Sequence, residues 1–69
     1  MRDMKKLVKE IERVSQVLVC LWMDKGMSNE IAQNAVLVII KEHLNPNDPS
    51  TFNKENLNEC LMTLKGLVK

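Results

Sequence analysis

The fold is decided by residues 8–23, which read Val8-Lys9-Glu10-Ile11-Glu12-Arg13-Val14-Ser15-Gln16-Val17-Leu18-Val19-Cys20-Leu21-Trp22-Met23. At about 100° of rotation per residue, one stripe of a helix collects apolar side chains, namely Met4, Leu7, Val8, Ile11, Leu18 and Trp22. This stripe predicts an amphipathic helix packed on a core. Val14, Val17 and Leu21 form a second apolar strip beside it, next to Glu10. The apolar surface is wider than one packing contact requires, so we expect a partner on this flank.

Length and charge limit the class of protein. A chain of 69 residues forms one helical domain over residues 1–69 and buries only about 60% of its unfolded surface, so self-association or a partner would help to stabilise it. The net charge of +1 gives no general attraction to polyanions. Arg2, Lys5, Lys6, Lys9 and Arg13 gather away from the core stripe. We interpret them as a solvated face, with an acidic protein surface or a phosphate backbone as the alternative.

Residue types that carry chemistry are few. Cys20 and Cys60 lie on predicted apolar helix faces without zinc-binding spacing, so we expect reduced core thiols; a disulfide is the alternative. His43, the single histidine, stands near a helix end, where it would cap carbonyl groups. We therefore expect no enzyme, no cofactor and no metal. The N-terminus lacks the apolar region of a signal peptide and no run is long enough for a membrane span, which indicates a cytoplasmic protein.

Capping signals predict three helices, at about residues 3–24, 28–44 and 53–66. Asp3, Ser28 and Asn53 suit the three N-caps, because their side chains accept hydrogen bonds from free backbone N–H groups. Gly26 suits the end of the first helix and Gly66 the end of the third, although Leu67 and Val68 could continue the stripe of the third helix if more chain followed. Prolines and Asn/Asp residues in 44–51 predict a loop. The inward stripe of the third helix is Leu57, Cys60, Leu61 and Leu64.

The second helix is apolar on nearly every side, with Ile31, Ala32, Ala35, Val36, Leu37, Val38, Ile39 and Ile40. We therefore expect it to be the buried centre of the molecule. Residues 36–40 would also suit a buried strand, because β-branched residues favour the pleated conformation. The capped start and the absence of a second strand-like run favour a helix. The predicted fold class is all-α, a small bundle of three helices, with a turn at Gly26-Met27-Ser28 that is also helix-turn-helix-like.

Two segments of the chain resemble the AsiA-type anti-sigma factors of T4-like bacteriophages. The residues Val8-Lys9-Glu10-Ile11, Val14-Ser15, Val17-Leu18-Val19 and Leu21 are similar, without gaps, to the first helix of that family. The segment Phe52-Asn53-Lys54-Glu55-Asn56-Leu57, followed by Cys60-Leu61 and Leu64, is similar to a later helix and its polar first turn. The middle helix aligns only after a shift of about two residues around Met23 to Met27. Family positions in the second helix therefore do not transfer.

The resemblance implies a phage protein that acts in the cytoplasm of an infected bacterium. Members of the family bind the C-terminal promoter-recognition region of the host primary sigma factor and redirect the RNA polymerase holoenzyme, as inhibitors and co-activators. Their first helix makes the main contact, and the matching positions here are Glu10, Val14, Val17 and Leu18; Leu21 extends the same flank. The family also self-associates through this face, which implies a homodimer when free. The family's further helical tail, tied to co-activator and polymerase contacts, is expected to be missing.

Two other classes of function fit the same sequence. A DNA-binding module is the first, because the Gly26-Met27-Ser28 turn between two helices suits a helix-turn-helix and the helix order is similar to the N-terminal module of phage integrases. The second helix argues against it, since only Gln33, Asn34 and Lys41 would reach base edges. The second class is a homodimeric adaptor bundle without a sigma partner.

Overall fold

The computed structural model describes residues 4–68 of the chain. Its α-helices are α1 (Met4–Asp24), α2 (Asn29–His43) and α3 (Lys54–Val68), and one 3-10 turn, Pro49–Thr51, lies between α2 and α3. Residues 4–68 contain no strand, so the helical prediction for 36–40 is confirmed. The predicted all-α bundle of three helices is confirmed as well. The N-cap predicted at Asp3 lies outside the described residues.

The end of α1 is fixed by a glycine in the left-handed region. Gly26 has φ +105°, and its N–H donates to the carbonyl of Met23 at 3.0 Å. The N–H of Met27 donates to the carbonyl of Trp22 at 3.1 Å. These two bonds form a Schellman motif, which satisfies carbonyls that a helix end otherwise leaves free. The predicted role of Gly26 is confirmed.

The starts of α2 and α3 are both capped by side chains. Ser28 Oγ accepts from the N–H of Ile31 at 3.2 Å, and Asn53 Oδ1 accepts from the N–H of Asn56 at 2.9 Å. Both predicted N-caps are therefore confirmed. The predicted end of α3 at Gly66 is wrong, because the helix continues to Val68. Glycine lowers helix propensity by only about 1 kcal/mol, which neighbouring helical residues can offset.

The loop predicted between α2 and α3 is confirmed, and hydrogen bonds within it fix its path. Asp48 accepts from the N–H of Ser50 at 3.1 Å and from its hydroxyl at 2.6 Å. These bonds favour the ionised carboxylate and hold the pKa of Asp48 below its ordinary value. Thr51 Oγ1 accepts from the N–H of Asn45 at 2.8 Å. These polar contacts hold the loop between α2 and α3 in one path.

The core lies along α1, whose most extensive contact is with α3. Its buried residues are Leu7, Ile11, Leu18, Val19, Ala32, Val36, Leu57, Cys60, Leu61 and Leu64. The stripe predicted for α1 is confirmed, because Met4, Val8 and Trp22 pack partly buried against these residues. The inward stripe predicted for α3 is confirmed completely. No helix within residues 4–68 is both long and apolar enough to cross a membrane.

The prediction that α2 is the buried centre is wrong. Only Ala32 and Val36 of α2 are buried, whereas Ile31, Leu37 and Val38 are 58%, 47% and 58% exposed. A helix presents only one stripe to a pair of neighbouring helices, so the remaining apolar residues of α2 must face solvent. The central helix is α1 instead, because its contacts with the other two helices are the most extensive, above all those with α3.

Candidate functional site

The α1 flank is the strip of α1 formed by Glu10, Val14, Val17 and Leu21. Val17 and Leu21 are 43% and 36% exposed, and Val14 is half-buried and packs against the core. Glu10 lies at the N-terminal end of the strip and is partly exposed. The structure therefore brings these four predicted contact residues to one surface of α1.

Leu18, the remaining predicted contact residue, lies elsewhere. Its side chain is fully buried in the core, where the apolar stripe of α1 also predicted it. It has no surface to offer to a partner in this conformation. The contact role expected from the resemblance is therefore not available to Leu18 unless the bundle opens.

A shallow α1–α3 hollow of about 150 Å³ adjoins the α1 flank, and its lining comprises Arg13, Val14, Val17, Lys65 and Val68. Lys65 Nζ lies 3.7 Å from Glu10 Oε2, and the two side chains are 53% and 33% exposed. An ion pair this exposed contributes about 0–1 kcal/mol, because water screens it and both side chains lose entropy. This ion pair therefore adds little to the stability of the free chain.

A second depression, the α1–α2 groove, has a volume of about 220 Å³. Ile11, Val19 and Val36 contribute apolar walls, and Gln16 and Gln33 are among the polar residues around them. The hydroxyl oxygen of Ser15, which also lines the groove, is buried and has no hydrogen-bond partner within residues 4–68. Sequence analysis did not predict this groove, because its two walls come from different helices.

The outer face of α2 is the surface that differs most from the sequence prediction. It is formed by exposed residues, namely Glu30, Ile31, Asn34, Leu37, Val38 and Lys41. Its three apolar members are each more exposed than any residue of the α1 flank. Sequence analysis missed this face because it assigned the whole of α2 to the core. The signal that could have found it is the presence of apolar residues on every side of α2, of which a three-helix bundle covers only part.

The basic residues of α1 are exposed, as their position away from the core stripe predicted. Lys6, Lys9 and Arg13 surround a hollow together with Glu10. Arg2, the fifth member of the predicted cluster, lies outside the described residues. The acidic Glu10 within the group means that this face does not present an uninterrupted positive surface.

The remaining chemically active residue types are two cysteines and one histidine. Cys60 is buried, and the loss of solvation raises the pKa of its thiol. The expectation that Cys20 is a core thiol is wrong, because it is exposed and lies half a helical turn away from the buried Ile11 and Leu18. His43 Nε2 lies 3.3 Å from Thr63 Oγ1, so the ring links α2 to α3. Within residues 4–68, no three His, Cys, Asp or Glu side chains are placed to hold a metal ion.

Comparisons of the chain with protein-family models, with curated proteins and with solved structures find no match. No site residues can therefore be taken from a relative, and the candidate sites are identified by the exposure and charge of their residues. The most distinctive are the α1 flank and the outer face of α2.

Proposed function

We propose that the chain is an anti-sigma factor of the bacteriophage type, acting in the cytoplasm of an infected bacterium. It binds the C-terminal promoter-recognition region of the host primary sigma factor and redirects transcription by RNA polymerase. The observation that carries this proposal is the α1 flank. Val17 and Leu21 are exposed apolar residues on the helix that resembles the contact helix of the family.

Recognition on this proposal places α1 in an apolar groove of sigma. Val17 and Leu21 are the anchors, because apolar side chains that become desolvated at the centre of an interface carry most of its binding energy. Val14, which is already half-buried, precedes both anchors on α1 and contributes to the shape of the same surface. Leu18 acts from the core by holding α1 in place.

Glu10 supplies the charge at the edge of this interface. Its carboxylate lies beside Lys65 in the free protein, and on binding it pairs with a basic residue of sigma. Charged residues at the rim of an interface mainly change the association rate and its salt dependence. We therefore expect Glu10→Gln to slow association at low salt and to have a smaller effect at high salt.

The decisive experiment is a titration of a labelled C-terminal sigma fragment with three forms of the full chain. Val17→Asp should weaken binding at least about 30-fold, equivalent to roughly 2 kcal/mol, because it places a charge among the apolar anchors. Val38→Asp is the matched control, since it makes the same substitution at a valine that is 58% exposed on α2, outside the flank. Circular dichroism verifies that both variants keep their helices.

Three results would count against the proposal. The first is that the wild-type chain fails to bind sigma at about 100 μM, a concentration that reveals even weak complexes. The second is that Val17→Asp binds sigma as tightly as the wild type does. The third is that the chain binds duplex DNA at physiological salt but does not bind sigma. The last result would favour the helix-turn-helix alternative. That alternative is disfavoured by the outer face of α2, because Ile31, Leu37 and Val38 are exposed there and only Asn34 and Lys41 on the same face could read base edges.

A further inference from the structure

We propose that the chain binds an amphipathic helix of another protein in a trough on the α2 side of α1. The trough consists of two shallow hollows. One is the α1–α2 groove of about 220 Å³. The other, the Phe52 hollow, has a volume of about 350 Å³ and is lined by Met4, Lys5, Val8, Lys9, Glu12 and Phe52. Glu12 lines both hollows, so they meet on α1 and form one continuous surface.

One stripe of α1 forms the first wall of the trough. It consists of Met4, Val8, Ile11, Ser15 and Val19. Their intervals of three and four residues place them within about 80° of one another around the helix, over about 22 Å of its axis. The α1 flank lies on the other side of the core stripe, so this proposal does not rest on the proposed sigma contact.

Two exposed apolar side chains stand on the opposite wall. Leu37 of α2 is 47% exposed and Phe52 of the loop is 50% exposed. The N–H of Phe52 donates to the carbonyl of Pro49 at 3.1 Å, and Asn56 Nδ2 donates to the carbonyl of Thr51 at 2.7 Å. These bonds fix the backbone that carries the phenyl ring, so less freedom is lost when a partner contacts it.

The occupant that fits this trough is a helix. The walls are mainly α1 and α2, whose backbone N–H and C=O groups are paired within each helix, so an extended strand would find no row of main-chain partners. On α1 the two hollows are centred near Val8 and Ser15, about two helical turns or 10.5 Å apart. Apolar residues at positions i and i+7 of a partner helix have the same separation, so one anchor would enter each hollow.

Charges on the rim define the partner further. Lys5, Lys9 and Glu12 are exposed and follow one another along the outer edge of the α1 stripe. A lipid would use only the two cations, whereas a protein helix can carry charges of both signs. Rim charges between packed helices set partner choice and orientation. The matching helix therefore has an acidic residue beside the anchor in the Phe52 hollow and a basic residue at i+3 or i+4, opposite Glu12.

A two-fold dimer does not fill the trough. Ile11 and Val19 are each only 6% exposed, so the α1 wall is recessed, and across a two-fold axis it would face an identical recessed surface. The occupant must instead present a convex apolar ridge. The apolar stripe of an amphipathic helix is such a ridge.

Selection of peptides on the immobilised full chain tests the proposal. The probe is a phage-displayed library of helical peptides of about 20 residues, which is long enough to span the trough. Selected peptides should carry apolar residues at i and i+7. Leu37→Asp and Phe52→Asp should each raise the dissociation constant of a selected peptide at least about 30-fold in fluorescence anisotropy, because each places a charge between apolar surfaces.

Val38→Asp is the matched control for Leu37→Asp. It makes the same charge change at the next residue of α2, which is 58% exposed and lies outside the lining of the trough, so the dissociation constant should stay within about threefold of the wild type. Circular dichroism verifies that all variants keep their helices. Failure to select any peptide would overturn the proposal, and so would a set of peptides that all bind Leu37→Asp and Phe52→Asp as tightly as the wild type.

Charge reversal tests how the helix lies along α1. Glu12→Lys should weaken a selected peptide about tenfold by opposing its basic residue, and replacing that residue by Glu should restore most of the affinity. Absence of recovery would refute the proposed register. Sedimentation of the chain alone tests the competing occupant: a wild-type dimer that Leu37→Asp and Phe52→Asp dissociate would assign the trough to a second copy and overturn the proposal.

Discussion

Replacing Leu18 by alanine should strongly destabilise the protein, whereas the same change at the neighbouring Val17 should have little effect. Leu18 is completely buried and Val17 is 43% exposed. Leu→Ala in a packed core costs about 2–5 kcal/mol, from lost burial and from the cavity that remains. A single small core rarely supplies more than about 3–5 kcal/mol. If the free energy of unfolding is about 4 kcal/mol, a decrease of roughly 3 kcal/mol leaves about one molecule in six unfolded at 25 °C.

Val17→Ala removes side-chain surface that water already reaches, and alanine has the higher helix propensity, so we expect a change within about 0.5 kcal/mol. Urea titrations followed by circular dichroism measure both variants. Trp22, which packs partly buried against the core, supplies an independent fluorescence signal, and agreement between the two signals checks that unfolding is two-state. Equal midpoints for the two variants, or a larger loss for Val17→Ala, would show that α1 is rotated relative to the structure described.

Three further predictions concern local features. Ser28→Ala should lower the free energy of unfolding by about 1 kcal/mol in a urea titration, because the N–H of Ile31 loses its acceptor; an unchanged midpoint would contradict this. Gly26→Ala should lower the melting temperature, because φ is +105° at this position and alanine is strained there. Gly66→Ala should raise the melting temperature, because Gly66 is helical and has open space around it. Shifts of the same sign for the two variants would be inconsistent with these conformations. A thiol reagent should label Cys20 in the folded protein and Cys60 only on unfolding. Because burial raises the pKa of Cys60, its contribution to stability is complete below the ordinary thiol value of 9.0 and decreases as pH rises above it; Cys60→Ala should abolish that part of the pH dependence in urea titrations.

The features that sequence predicted well are those set by near neighbours in the chain. Ser28 and Asn53 cap helices because each side chain reaches a backbone N–H three residues away. Gly26 ends α1 because it alone in that turn adopts a positive φ without a steric penalty. The inward stripe of α3 was predictable because its apolar residues occupy only one side of the helix. Each of these depends on local geometry and spacing.

The burial of α2 could not be predicted in this way. Apolar residues surround α2, so periodicity does not choose between Val36, which is buried, and Val38, which is 58% exposed. That choice depends on the direction from which α1 and α3 approach. Cys20 was assigned to the core for a similar reason, since it stands among apolar neighbours in the sequence but opposite the core stripe on the helix.

The candidate site was predictable in part. Periodicity identified the exposed apolar strip at Val17 and Leu21, because these residues lie outside the core stripe of an amphipathic helix. Periodicity also placed Leu18 in the core stripe, where it is buried, and only the family resemblance assigned it to the contact surface. The α1–α3 hollow, which needs Lys65 and Val68 from the far end of the chain, requires knowledge of how α3 packs.

The small share of the core that α2 contributes has a consequence for the motions of the molecule. Of the buried residues described, α2 supplies only Ala32 and Val36, whereas α1 and α3 supply four each. Detaching α2 while α1 and α3 stay together therefore costs less free energy than unfolding the whole chain, which is the condition for a separate opening unit in native-state hydrogen exchange. Backbone amides of α2 should exchange with deuterium before those of α1 and α3.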